Sequence, residues 1–325
     1  MSGALACGRH PSTITSQPDA VIEIAGLVKR YGSFIAVDSV DLTVIRNEIF
    51  GILGPNGAGK TTTLEMVEGL RRPDSGTIRV AGIDVVANPT AVKRVIGVQL
   101  QTTALFDYLT AWELIELFAA LCGGDTSRRR VDELVSMVAL EEKSGSHVNQ
   151  LSGGQRQRLS IALSIVNDPE VLFLDEPTTG LDPQARRNLW DLIRELRDAG
   201  KTVVMTTHYM EEAEALCDRV AVMDRGRIIA VDTPRSLIQS LGESATIRAR
   251  IDGDVDASLI AALPGALGAE FIGGQLTVHT EDVPATLMAL LLFAEERRMR
   301  LENLASERAT LEDVFLAFTG RSLRE

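Results

Sequence analysis

The chain has 325 residues, 45% of them hydrophobic, enough for packed cores and for two domains. Its formal net charge of −12 argues against a nucleic-acid backbone as the main partner, because phosphate binding wants Lys and Arg in excess. Cys7, Cys122 and Cys217 are scattered, so neither a disulfide framework nor a zinc site is expected, and no stretch reaches the roughly 18 uncharged apolar residues needed to span a bilayer.

Residues 1–20 lack an apolar segment and are rich in Ser, Thr, Pro and Gly. They read as a disordered leader. Residues 21–28 and 40–44 alternate as half-buried strands do, and residues 48–53 form a buried strand that runs into a glycine-rich loop. A helix is expected from Thr61 to about Leu70, with further strands over residues 77–80 and 95–100. Thr110 and Glu113 make a capping-box pattern that opens a helix with Leu114, Leu117, Phe118 and Leu121 on one face. A second helix covers about residues 128–140, and the pair reads as an α-helical insertion between strands.

Residues 155–166 are helical and stop at Asn167-Asp168-Pro169. An apolar strand follows over residues 171–174. Asp182-Pro183 supplies an N-cap and a first-turn proline for the next helix, which Gly200 ends. Residues 202–206 are the next strand. Strands alternating with helices predict a mostly parallel sheet with helices on both faces and ligands at the carboxyl ends of its strands. From about Ser244 the pattern changes. Residues 245–251 alternate, residues 271–276 look like a hairpin with a glycine turn, and residues 284–297 and 310–318 are helical. This is a small α+β domain.

Gly54-Pro55-Asn56-Gly57-Ala58-Gly59-Lys60-Thr61-Thr62 carries every fixed position of the phosphate-binding loop. Its glycines let backbone N–H groups converge on an anion, and the helix that follows adds its dipole. Lys60 would reach the β and γ phosphates of ATP, and the Thr61 hydroxyl would join the coordination of Mg²⁺. Asp175 and Glu176 end an apolar strand. A single hard carboxylate plus phosphates suffices for Mg²⁺, so Asp175 is the expected metal ligand and Glu176 the group that polarises the attacking water. Leu151-Ser152-Gly153-Gly154-Gln155 reads two ways, as a local capping box or as a phosphate site with free N–H groups and a serine hydroxyl. Two adjacent glycines are costly for capping alone, which favours the phosphate site.

With these motifs in this order, the chain resembles the ATP-binding subunits of ATP-binding cassette (ABC) transporters over about residues 22–238. The resemblance implies a P-loop NTPase of α/β class. It has a mostly parallel sheet core, an antiparallel β subdomain and an α-helical subdomain at about residues 102–168. The nucleotide-binding domain would cover residues 21–243, with the small α+β domain at residues 244–325. It further implies that residues 151–155 are the signature segment, which closes over ATP held by a second copy of the chain. Tyr31 fits the aromatic that stacks on adenine. Gln101 fits the loop glutamine that senses Mg²⁺ and the γ-phosphate, with Gln99 as a rival. Asp182 fits the loop that signals across the dimer, and His208 the switch histidine at the γ-phosphate. His10, His147 and His279 have no such context.

Residues 310–320 resemble the tail of exporter ATPases of the daunorubicin-resistance type. The implied function is an ATPase subunit at the cytoplasmic face of the membrane. It would drive export of a drug-like or hydrophobic substrate through a separate permease. The alternative is a soluble cassette ATPase acting on DNA or ribosomes. A single P-loop, no heptad run and acidic charge speak against it.

Overall fold

The computed structural model describes residues 19–99, 105–241, 245–253 and 255–319. Gln101 and nearly all of the leader lie outside the described residues. In chain order the elements are β1 (Ala20–Tyr31), β2 (Phe34–Ile45), β3 (Ile49–Leu53), α1 (Lys60–Val67), β4 (Ser75–Val80), β5 (Ile83–Asp84), α2 (Pro89–Val95), β6 (Ile96–Gln99), α3 (Ala111–Cys122), α4 (Arg128–Met137), α5 (Gly153–Ser164), β7 (Val171–Asp175), α6 (Pro183–Asp198) and β8 (Thr202–Thr207). Then come α7 (Met210–Leu216), β9 (Arg219–Asp224), β10 (Arg227–Asp232), α8 (Pro234–Gln239), β11 (Ala245–Ile251), α9 (Ala257–Ala261), β12 (Ala266–Ile272), β13 (Gln275–Thr280), α10 (Val283–Glu296), β14 (Leu301–Arg308) and α11 (Leu311–Thr319).

Three sheets result. An antiparallel sheet has the order β2-β1-β4-β5. The six-stranded core sheet runs β10-β9-β3-β8-β7-β6, with β3 parallel to β9 and β6 parallel to β7. Strands β3, β7 and β8 are buried at every residue, as expected for strands covered on both faces. The chain divides into two compact units that do not follow chain order. One gathers the residues up to Glu48 with Thr61–Leu174 and Thr178–Val203. The other gathers Ile49–Lys60, Asp175–Pro177 and the residues from Val204 onward. The phosphate loop as far as Lys60, the carboxylate pair and His208 therefore share one unit, and Thr61 and Thr62 belong to the other.

Local chemistry explains most element boundaries. Thr110 and Glu113 make both bonds of a capping box on α3, and Gly123 closes that helix at φ 70°. The buried face of α3 is not the expected one. Ala111, Leu114, Ile115 and Ala119 are buried, whereas Leu117 and Phe118 are only partly covered and Leu121 is 72% exposed. Helix α3 packs against α4 and α5, and Ile115 with the two alanines replaces Leu117, Phe118 and Leu121 beside Leu114 on the buried face. Helices α1 and α4 stop earlier than the sequence pattern indicates, and α5 begins two residues sooner, at Gly153.

The last sheet has the order β12-β13-β11-β14 with every neighbour antiparallel. With α9 after β11 and α10 after β13, this is a βαββαβ split-crossover domain of ferredoxin-like topology. Ile247, Ile251, Leu276 and Val278 pack with Ile260, Leu290 and Phe293 to form its core. Gly273 and Gly274, at φ 61° and 83°, make the two-residue hairpin turn between β12 and β13. After β14, helix α11 packs on α7 and α8 with Leu311, Val314 and Phe315 fully buried, which stabilises it by about 1.5–3 kcal/mol per side chain.

Candidate functional site: a phosphate loop beside a carboxylate pair

Strand β3 delivers the chain to Gly54. A Cβ at Gly54 would lie 2.2 Å from the Met223 carbonyl oxygen, so only glycine fits there. Gly57 and Gly59 turn the loop at φ 80° and 105°, where side chains are strained. Ala58 anchors the loop. Its N–H donates to the Pro55 carbonyl at 3.1 Å, and its carbonyl accepts from the Gly226 N–H at 2.8 Å. Asn56 is exposed at the loop tip. Thr61, also exposed, and Thr62 sit in the first turn of α1.

The Lys60 side chain is 4% exposed, and its Nζ donates to the carbonyls of Gly54 at 2.8 Å and Pro55 at 3.2 Å. It also lies 3.7 Å from the Glu176 carboxylate. Burial pulls its pKa below the ordinary lysine value, and the charges of Glu176 and Asp175 only partly offset that pull.

Asp175 is the last residue of β7 and is buried. The Thr206 hydroxyl donates to Asp175 Oδ1 and accepts the Glu176 N–H at 3.0 Å. The Glu176 N–H also reaches the Thr206 carbonyl at 3.2 Å. Thr206 thus orients both acidic residues, a role that sequence reasoning missed. No local signal marked it, because its partners lie some thirty residues away in the chain. Glu176 holds φ 47°, an uncommon backbone for a residue with a side chain, and strain of this kind concentrates at functional sites. His208 follows β8. Its Nδ1 lies 3.2 Å from Glu176 Oε1, outside hydrogen-bond alignment, and its ring centroid is 4.1 Å from that of Tyr209.

Lys60, Asp175, Glu176 and His208 therefore converge, with Glu176 between the lysine and the histidine. Among the described residues no cluster of three or more His, Cys, Asp or Glu could hold a metal unaided. A lone buried carboxylate beside a phosphate loop fits Mg²⁺, which takes most of its ligands from phosphate and water.

The other expected residues lie in the first unit. The Ser152 hydroxyl caps α5 by accepting the Gln155 N–H at 3.3 Å, and Gln155 Oε1 accepts the Ser152 N–H at 2.9 Å, a complete capping box. Leu151 is buried before it. Gly153 and Gly154 open the helix. Asp182 caps α6 through the N–H groups of Gln184 and Ala185 at 2.9 and 2.8 Å. Tyr31 is 42% exposed at the end of β1, with the Arg71 guanidinium 5.4 Å and the Lys29 ammonium 5.9 Å from its ring centre. Gln99 is buried at the end of β6.

The family model described as ABC transporter matches residues 37–179. The chain is 42% identical to the daunorubicin/doxorubicin resistance ATP-binding protein DrrA of Streptomyces peucetius, over 94% of each chain. It is 40% identical to the Nod factor export ATP-binding protein I of Ralstonia nicotianae, over 94% of this chain and 95% of that one. Among solved structures, it superposes on cbiO1 of Clostridium perfringens, part of the ABC transporter complex cbiONQ, with a TM-score of 0.64 and 28% identity. That match covers 69% of this chain and 92% of that one. It also superposes on a dimeric ATP-binding cassette in a post-hydrolysis state with ADP and Pi, with a TM-score of 0.59 and 30% identity over 65% of this chain and 98% of that one. The chain belongs to the ABC transporter family, as an ATP-binding subunit of the kind that hydrolyses ATP to power transport.

Proposed function

We propose that the chain powers export through a separate membrane subunit, and that residues 54–62 hold its ATP. The observation that carries this reading is the convergence of Lys60, Asp175, Glu176 and His208 on one point beside the phosphate loop. Lys60 and the loop N–H groups neutralise phosphate charge where it develops. Thr61 and Asp175 would hold Mg²⁺, with Gln101 as a further ligand, and the ion would draw charge from the β and γ oxygens. Glu176, fixed through its N–H by Thr206, orients the attacking water. His208, beside Glu176, meets the γ-phosphate, and Tyr31 stacks on adenine.

A second copy of the chain completes the pocket with Leu151, Ser152, Gly153, Gly154 and Gln155, and Asp182 passes the state of one site to the other. The solved dimeric cassette supports this arrangement. The helical pair α3 and α4 lies within the subdomain of residues 102–168, and the membership of one neighbour in the ABC transporter complex cbiONQ supports a partner at the membrane. Among the described residues no helix is long and apolar enough to cross a membrane. Relatives named for drug resistance and for Nod factor export support export; we read the cargo as a drug-like or hydrophobic compound and the place of action as the cytoplasmic face of the membrane. Residues 244–325 form an accessory domain outside the catalytic cassette.

The test is Glu176→Gln, which should retain ATP while turnover falls by about 10²–10⁴. Turnover near wild type would refute the assignment. Copurification with a polytopic membrane protein checks the coupling to transport.

A further inference from the structure

The tail motif at residues 310–319 plays no part in the site just described, yet its helix lies against the helix that follows His208. His208 is the single residue between the end of β8 and Tyr209, the N-cap of α7. Its placement is therefore set from both sides. On the strand side, the Tyr209 N–H donates to the Thr207 hydroxyl at 2.9 Å. On the helix side, α7 has only seven residues, and Tyr209 supplies no side-chain cap. A helix that short does not hold itself and takes its position from what it packs against. Its packing partners include β3, α8 and α11.

Helix α11 makes this contact in two ways. Leu311, Val314 and Phe315 are fully buried on its packed face. Glu214 of α7, an exposed residue, accepts the Leu311 N–H at 2.7 Å. That N–H belongs to the first turn of α11, whose amides have no partner within the helix, and a carboxylate there also meets the positive end of the helix dipole. The Thr310 N–H and hydroxyl are already held by Asp313 at 2.8 and 2.9 Å. The Glu214 bond is thus an additional link between the two helices, beyond the cap that α11 makes for itself.

We propose that α11 positions His208: the Glu214–Leu311 hydrogen bond and the packing on α7 and α8 hold the start of α7 where the histidine faces Glu176. The ferredoxin-like domain, which leads into α11, is thereby tied to the hydrolytic site, and Glu214 is a positioning residue for hydrolysis. This rests on the role proposed for His208.

The experiment compares Glu214→Ala and Glu214→Gln in the full chain, with steady-state ATPase, equilibrium ATP binding and hydrogen exchange over residues 208–216. Glu214→Ala removes a charge-assisted bond from an exposed side chain, so folding survives and kcat falls about three- to tenfold while KM and ATP affinity stay within about twofold. Glu214→Gln keeps the acceptor oxygen and restores most of kcat. Exchange over residues 208–216 quickens in the alanine variant alone. An unchanged kcat in Glu214→Ala overturns the proposal, and so does a glutamine variant as impaired as the alanine one. If Glu176→Gln is inactive while Glu214→Ala is normal, only this inference falls. Wild-type turnover in Glu176→Gln brings down the reading beneath it.

Discussion

The phosphate loop and the signature segment are both glycine-rich helix starts, but their glycines have different causes. In the loop the chain itself accounts for each one: the Met223 carbonyl leaves no room for a Cβ at Gly54, and Gly57 and Gly59 adopt left-handed backbone. In the signature segment only Gly154 has such a cause, since its Cβ would come within 3.0 Å of the Ala185 Cβ. A Cβ at Gly153 would meet nothing within 4 Å, and its φ is ordinary. A glycine at the start of a helix, with open space around it, leaves room for something outside its own chain. Under the proposed dimer, that something is the nucleotide held by the second copy.

The sharpest break of this contrast is Gly54→Ala. Its new methyl group strikes backbone, which cannot swing aside, so the loop or β9 must shift. Overpacking of this kind costs about 1–3 kcal/mol and distorts the cradle as well. ATP binding should be lost and the urea midpoint lowered together. Wild-type ATP affinity in that variant would show that the loop tolerates the displacement.

Gly153→Ala should do the opposite to the fold. Alanine is favoured over glycine inside a helix by about 0.5–1 kcal/mol, so stability holds or rises by up to that amount. If a partner's nucleotide packs against this helix start, ATP turnover nevertheless falls. A stable variant with full turnover would mean that Gly153 is incidental and would remove the support its open surroundings lend to the dimer. Ser152→Ala separates the remaining part, because it loses the cap on the Gln155 N–H, worth about 1 kcal/mol, whether or not a partner is present.

The same contrast shows what a sequence reveals and what it hides. Asp182 and Thr110 were legible because a cap bonds to residues two or three positions away, so the whole device lies in one short text. The phosphate loop was legible because backbone geometry demands glycine at fixed spacing. Thr206 was hidden because its partners, Asp175 and Glu176, are some thirty residues away in the chain, and a threonine in a strand looks like any other. The Glu214–Leu311 bond spans 97 residues and leaves no local trace. The hairpin of β9 and β10 turns at Arg225 and Gly226, with φ 46° and 78°, a glycine signal the sequence reading passed over. Strand β14, whose residues read Leu-Glu-Asn-Leu-Ala-Ser-Glu-Arg, lacks clean alternation, and a bulge with Asn303 at φ 52° breaks its register, so the split-crossover topology could not be read before the pairing was seen. The α3 face failed for a different reason: its hydrophobic residues run nearly all round the helix, so the spacing did not single out Ile115 and the two alanines as the buried side.

The smallest expected effect concerns the one cation of the phosphate loop. Burial lowers the Lys60 pKa, and Glu176 and Asp175 only partly offset it, so folding disfavours the charged lysine relative to the unfolded chain. Between its folded pKa and the unfolded value near 10.5, the unfolded chain binds the extra proton, and stability therefore rises with pH. Lys60→Met removes that dependence. Without nucleotide it should melt at or above the wild-type temperature at neutral pH, and the gap should shrink as pH climbs toward 10.5. A gap that stays constant with pH would show that Lys60 folds with its ordinary pKa, and that the loop, like the signature helix, is at ease without its ligand.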